Sequence, residues 1–280
     1  IIYYIMIQNT GLKRNIKDKY YTKNEVVDTC VKQLEENLDI NDNDICIEPS
    51  AGNGSFIKNI KNVFKNYKFY DIEPDNEEIV KQDYLDFNFN KIIGENYNKI
   101  HILGNPPFGR QSSLAIKFIK KSVLYCDSIS FILPKSFKKD SLRKHFPLNF
   151  HLIHEYDLPK NSFIVDNKEY DVPCVFQIWL KKNTNREVQE KLKPNKYEFV
   201  KINENPDISF RRVGVYAGKI DTNVENKSIQ SHYFIKFDSN IFTEELLKKL
   251  NIIEYSCKDN TAGPKSISKQ ELIKEFNMVV

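Results

Sequence analysis

The chain has 280 residues, 40% of them hydrophobic and 29% charged, with a net charge of +4. This is enough chain for one large domain or a catalytic domain with a small appendage, and the composition excludes a disordered or fibrous protein. The mild positive charge permits a nucleic-acid partner without requiring one.

Cys30, Cys46, Cys126, Cys174 and Cys257 are odd in number and widely spaced. That argues against a disulfide framework or a zinc site and favours a reducing, intracellular (cytoplasmic, nuclear or viral-factory) setting with no bound metal. Residues 1–7 are apolar but far short of the roughly 20 residues a membrane span needs. They also lack the basic start and small-residue cleavage site of a signal peptide, so no membrane association is expected. Met6 stands as an internal candidate start.

A helix is expected over 18–38. Thr22 reads as its N-cap, with Glu25 three residues on completing a capping box. Val26, Val27, Cys30, Val31 and Leu34 then recur at helical spacing. A strand over 44–48 runs into Pro49-Ser50-Ala51-Gly52-Asn53-Gly54, and Phe56, Ile57, Ile60 and Val63 continue as a helix. A second strand over 67–70 ends at Asp71. A third, 101–104, leads into Asn105-Pro106-Pro107-Phe108-Gly109 and a helix from 113 to 124. The strand 128–133 is stopped by Pro134, and the apolar runs 151–156 and 174–180 read as a closing hairpin. A polar linker follows over 181–194, and 195–280 lose the alternation of strand and helix.

This order predicts an α/β fold, a doubly wound and mostly parallel sheet, over 1–183, with a small C-terminal α+β domain over 184–280. Ligands of such sheets bind beyond the carboxyl ends of the strands. The strand ends at Glu48, Asp71 and Asn105 would share that edge.

The glycines at 52 and 54 let backbone approach a ligand closely, although the turn lacks the spacing of a dinucleotide site. Glu48 suits a ligand that carries an amine. Asp71 can accept from ribose hydroxyls or simply start the next turn. Asp83 can accept from an adenine amine or be an ordinary surface acid. Asn105-Pro106-Pro107-Phe108 is the sharpest signal. The diproline fixes the backbone and removes two N–H donors. The Asn105 side-chain oxygen and the Pro106 carbonyl are left as paired acceptors, which suit an exocyclic NH₂ group. Holding both hydrogens turns the nitrogen lone pair towards an electrophile, and Phe108 offers a flat face to an aromatic ring.

Together the two loops resemble those of the class I S-adenosylmethionine-dependent amino-methyltransferases, in the γ motif order of cofactor loop before catalytic loop. The resemblance covers about 18–183. It implies a Rossmann-like fold, S-adenosylmethionine as cofactor (S-adenosylhomocysteine as product), and cofactor contacts from Tyr21, Thr22, Glu48, Ser50, Gly52, Gly54, Phe56, Asp71, Ile72, Asp83, Tyr84 and Asn105. Lys19-Tyr20-Tyr21-Thr22 is similar to that family's N-terminal cofactor segment. Asn105, Pro106, Pro107 and Phe108 become the catalytic loop, and Phe at the fourth position points to adenine N6. Phe163, in preference to Tyr170, is expected as a second aromatic sandwiching an extruded base.

Gly109, Arg110 and Lys135 sit where a substrate would enter, and Lys138, Lys139, Arg143, Lys144 and His145 follow Lys135. Arg211 and Arg212 lie among glycines and aromatics in a region expected to recognise the target. The leading expectation is site-specific DNA adenine-N6 methylation, with a restriction endonuclease as a candidate partner. The alternatives are RNA adenosine-N6 methylation, protein glutamine methylation and a non-catalytic nucleic-acid-binding module.

Overall fold

The computed structural model describes residues 20–188 and 190–280. The readings of residues 1–7, Met6 and Lys19 fall outside them. The chain forms two compact units, the first ending at Glu187 and the second being Val188–Val280.

In the first unit the elements are β1 (Tyr21–Thr22), α1 (Asn24–Asn37), β2 (Ile45–Glu48), α2 (Ile57–Val63), β3 (Asn66–Asp71), β4 (Val80–Lys81), α3 (Asn90–Ile93), β5 (Ile100–Gly104), α4 (Ser113–Ser122), β6 (Ser128–Pro134), α5 (Asp140–Arg143), β7 (Phe150–Asp157), β8 (Phe163–Val165), β9 (Lys168–Tyr170) and β10 (Cys174–Lys181). Seven of the strands form one sheet in the order β4-β3-β2-β5-β6-β10-β7. Neighbours from β4 to β6 are parallel, and β10 is antiparallel to both β6 and β7. Every residue of β2, β5 and β6 is buried. That is why these strands read as continuous apolar runs: both faces of the sheet are covered. The order is the doubly wound, mostly parallel α/β arrangement expected from the sequence. Strand order reverses between β2 and β5, which opens a crevice at their carboxyl ends.

The apolar stripe of α1 is buried as its spacing requires. Its start differs from the sequence reading. Lys23, whose side chain makes no capping bond, occupies the N-cap position. Thr22 is instead part of β1, paired with Phe163 of β8, and Tyr21 is paired with Ile164. Pairing with a distant hairpin has overridden the local capping preference. At the opposite end of the sheet, His101 of β5 joins β6 and the residue just before β2: its Nδ1 lies 2.7 Å from Ser128 Oγ and its Nε2 3.4 Å from Asp44 Oδ2. All three residues are buried, so this serine–histidine–aspartate arrangement is a structural tie with no access for a substrate.

The second unit contains β11 (Tyr197–Val200), β12 (Ile208–Arg211), β13 (Ile220–Asp221), β14 (His232–Phe237), α6 (Glu244–Asn251) and α7 (Lys269–Phe276). Its antiparallel sheet runs β11-β14-β12-β13. Both helices have side-chain caps: Thr243 for α6, and a full Ser268–Glu271 capping box for α7. Phe210, Ile235, Leu250, Leu272 and Phe276 share its core. Among the described residues, no helix is long and apolar enough to cross a membrane, and no group of three His, Cys, Asp or Glu could hold a metal ion.

Candidate functional site

The glycine turn after β2 is a closely hydrogen-bonded structure. Ala51 N donates to Tyr70 O at 2.9 Å, Gly54 N to Ala51 O at 2.7 Å, and Asp75 N to Gly52 O at 2.9 Å. Gly52 N donates to Asp71 Oδ2, and Glu73 N to Asp71 Oδ1, both at 2.8 Å. Asp71 therefore braces two turns. Each of its carboxylate oxygens keeps a further lone pair, so the bracing and acceptor readings of this residue are compatible. Gly52 has φ +55°, and a Cβ there would sit 3.1 Å from the Tyr21 ring. Tyr21 itself donates through its hydroxyl to Asp75. Ile72, beside Asp71, is 61% exposed, an apolar surface at the crevice edge.

Glu48 ends β2 fully buried, and its Oε2 has no hydrogen-bond partner among the described residues. Burial pushes the carboxyl well above the usual carboxylate range, and the charge of Asp71 adds to this. Gly104, on the neighbouring strand, makes room for it: a Cβ there would lie 3.1 Å from Glu48 Cγ, and the backbone φ of +149° disfavours a side chain as well. Gly104→Ala is expected to destabilise the protein by about 1–3 kcal/mol, measured by urea unfolding. An unchanged midpoint would show that the Glu48 side chain yields freely.

Asn105 follows directly. Its Nδ2 donates to Tyr20 O at 3.1 Å and to Thr22 Oγ1 at 3.3 Å, while its Oδ1 is buried without a partner among the described residues. A carbonyl oxygen can only accept, so the Tyr20 contact fixes which way the amide faces. Leaving a buried acceptor unmatched costs roughly 1–3 kcal/mol. Asn105 and Glu48 thus present two unmatched acceptors near the ends of adjacent strands, a place suited to ligands that bring N–H donors. Ser50 Oγ donates to Asn105 O at 3.1 Å and ties the two loops together. Pro106 is buried, and Phe108 keeps part of its ring exposed. The Phe108 carbonyl accepts from Leu114 N at 3.1 Å, anchoring the loop to the start of α4. Gly109 is half-buried and Arg110 exposed after it.

β8 and β9 form a hairpin whose turn residues, Asp166 (φ +47°) and Asn167 (φ +60°), suit a tight two-residue connection. Here the preference for Phe163 needs correcting. Phe163 is 0% exposed, so its ring has no free face for a base. Tyr170, directly opposite it in register, is half-buried, and its ring centroid lies 5.5 Å from that of Tyr20.

Other expected contacts are also redistributed. Phe56 and Tyr84 are core side chains, 2% and 1% exposed, and the Tyr84 hydroxyl pairs with Ser122 Oγ at 2.8 Å. Thr22 is buried, with its hydroxyl on Asn105. Asp83 Oδ1 accepts from Leu85 N at 2.9 Å and caps a short helical turn. The basic run after β6 is largely neutralised by acids of β7. Lys135 pairs with Asp157 at 3.2 Å, Lys138 with Asp157 at 2.7 Å, and Arg143 with Glu155 at 2.8 Å. In the second unit Arg211 Nε donates to Val213 O at 2.9 Å, and the Arg212 guanidinium lies 5.3 Å from the Tyr233 ring centroid. Sequence reasoning gave Tyr20 no role of its own. Its contribution is a backbone carbonyl and a ring between two strands, for which the sequence carries no signal.

No protein-family model matches the chain. The "Ribosomal RNA small subunit methyltransferase A" of Mycoplasma mycoides subsp. mycoides SC is 23% identical over 282 residues, covering 93% of this chain and 97% of that protein. Among solved structures, a Pyrococcus horikoshii protein described as an RNA methyltransferase superposes with a TM-score of 0.44 at 15% identity, covering 61% of this chain and 93% of that one. The 23S rRNA methyltransferase ErmE gives a TM-score of 0.42 at 12% identity, covering 59% of this chain and 71% of that one.

Proposed function

We propose that the chain is an S-adenosylmethionine-dependent adenine-N6 methyltransferase whose polymer is RNA. The observation that carries this reading is Asn105 Oδ1, buried, unpartnered and held in one orientation by β1. With the Pro106 carbonyl it takes both hydrogens of an exocyclic amine and so directs the nitrogen lone pair outward. The partly exposed rings of Phe108 and Tyr170 hold the flat base, which must be unpaired or extruded to reach them.

The cofactor fits the residues present. The unmatched Glu48 carboxylate suits the amine of its methionine portion, Asp71 the ribose hydroxyls, and Ile72 and Asp83 the adenine. When bound it supplies an already activated sulfonium methyl group, so the protein contributes mainly positioning. Gly52 and Gly54 keep the backbone low enough for close approach, and Tyr21 braces that turn from the side.

RNA is preferred over DNA because the Mycoplasma relative, aligned over nearly the whole of both chains, is named as a ribosomal RNA methyltransferase. The second unit would then supply recognition of the target. Purified protein should be given labelled S-adenosylmethionine with single-stranded RNA, duplex RNA, single-stranded DNA, duplex DNA and a glutamine peptide. The expected product is N6-methyladenosine in RNA, identified by mass spectrometry of nucleosides. Transfer confined to DNA or to the peptide would replace the RNA reading. Failure to bind the cofactor by calorimetry would leave a binding module without catalysis.

A further inference from the structure

Between β12 and β13 the chain makes an excursion, 212–219, that is pinned from several directions. Gly218 N donates to Arg211 O, Arg211 N to Lys219 O, and Gly214 N to Lys265 O, at 2.8, 2.8 and 2.9 Å. Ile267 N reaches Arg212 O at 2.8 Å, and Val213 bridges Ser266. Gly218 sits against the Tyr255 ring, 3.3 Å from where its Cβ would be. A loop held this firmly has little freedom at its tip. Yet the tip displays Val215 and Tyr216 to solvent, 83% and 71% exposed.

Tyr216 and Lys219 stand on the boundary between two adjoining depressions. One is lined also by Arg211, Asp221, Lys227 and His232, the other by Asn251, Tyr255 and Lys258. The second has a volume of about 380 Å³, within the range of ligand clefts. Asp221 is already paired with Lys227 at 2.6 Å. Neither Lys219 nor Lys258 has an ion-pair partner among the described residues. The ring of Tyr255, 3% exposed, lines the second depression beneath Gly218.

An exposed aromatic ring flanked on both sides by basic groups is what a single strand requires: a π-face for a base, and cations for the phosphates before and after it. We propose that the loop bearing Tyr216 is a single-stranded RNA platform, on which Tyr216 stacks an unpaired base. Arg211 and Lys219 meet one flanking phosphate, and Lys258 meets the next. This rests on the RNA reading of the chain and adds to it a contact that the methyl-transfer site does not contain.

The test is fluorescence anisotropy of the full chain with a labelled single-stranded RNA dodecamer and the matching duplex, across a salt series. Tyr216→Ala is expected to weaken single-strand binding about tenfold or more, and Tyr216→Phe to retain it. Lys219→Gln with Lys258→Gln should flatten the dependence of affinity on salt.

Wild-type affinity in Tyr216→Ala, or preference for the duplex, overturns the proposal, as does an unaltered salt slope in the double variant. So does self-association that Tyr216→Ala abolishes while RNA binding persists, because the exposed ring would then be a protein contact. Methyl transfer and cofactor binding are measured alongside. RNA binding lost in Tyr216→Ala by a protein that transfers no methyl group supports the platform and sinks the catalytic reading. Undiminished RNA binding and methylation in Tyr216→Ala does the reverse.

Discussion

Asn105→Ala is expected to lower single-turnover methyl transfer by about 10²–10³-fold, the range seen when one preorganised polar group facing a reacting centre is removed. Cofactor affinity should stay within a few-fold, because the alanine disturbs neither Glu48 nor the glycine turn. The reason lies in how the amide is used. Its nitrogen is spent on Tyr20 O and Thr22 Oγ1, and its oxygen is unpartnered inside the site. Alanine removes the acceptor and releases β1 from the loop, so some loss of stability should accompany the loss of rate. Thr22→Val separates these effects. It deletes one of the two anchors but keeps Oδ1, and should cost far less activity. An Asn105→Ala enzyme with more than a tenth of wild-type turnover would refute the role given to this loop.

Glu48→Gln should have opposite effects on affinity and stability. S-adenosylmethionine binding is expected to weaken about 10- to 100-fold, because a hydrogen bond to a charged group contributes roughly 1.5–3 kcal/mol. The cofactor-free protein, by contrast, should melt at a higher temperature. The sign follows from proton linkage. The folded state raises the Glu48 pKa above its ordinary value, so it keeps a proton that the unfolded chain releases. The stability associated with that proton is fully present below the unfolded pKa of about 4.5 and is lost as pH rises towards the folded pKa. Glutamine removes this dependence, so the melting temperature of the variant should vary less with pH above 4.5. Calorimetry and thermal melts across pH check both parts. A variant that binds cofactor as tightly as wild type would mean the carboxylate faces no amine.

The parallel sheet was legible because its strands are buried on both faces, and each run such as 128–133 carries that burial in its own composition. The position of the Asn105 turn was legible because a diproline fixes the backbone where an apolar strand stops. What escaped were features set by distant partners. Thr22 looked like a helix cap because Glu25 stands at the right spacing, but its true neighbour is Phe163, far along the chain. Phe163 and Tyr170 are direct cross-strand partners, and aromatic character alone did not tell which would be sealed in the core. The cluster around Lys138 and Arg143 was placed at a substrate entrance, but Glu155, within a run read only as part of a closing hairpin, and Asp157 just beyond it pair with these bases.

The dependence of Asn105 on β1 also sets an order of assembly. Asn105 is oriented by Tyr20 and Thr22, and β1 is held in place by β8, which precedes only β9 and β10 among the strands of the first unit. Contacts that close such long loops are the slow ones in folding. During synthesis the parallel strands β2 to β6 can gather while the amide of Asn105 still turns freely. The acceptor pair becomes directional only after the hairpin has emerged and captured the N-terminal strand. A ribosome-bound chain halted before Phe163 would therefore contain the glycine turn and the Asn-Pro-Pro-Phe loop and still leave the Asn105 amide unoriented.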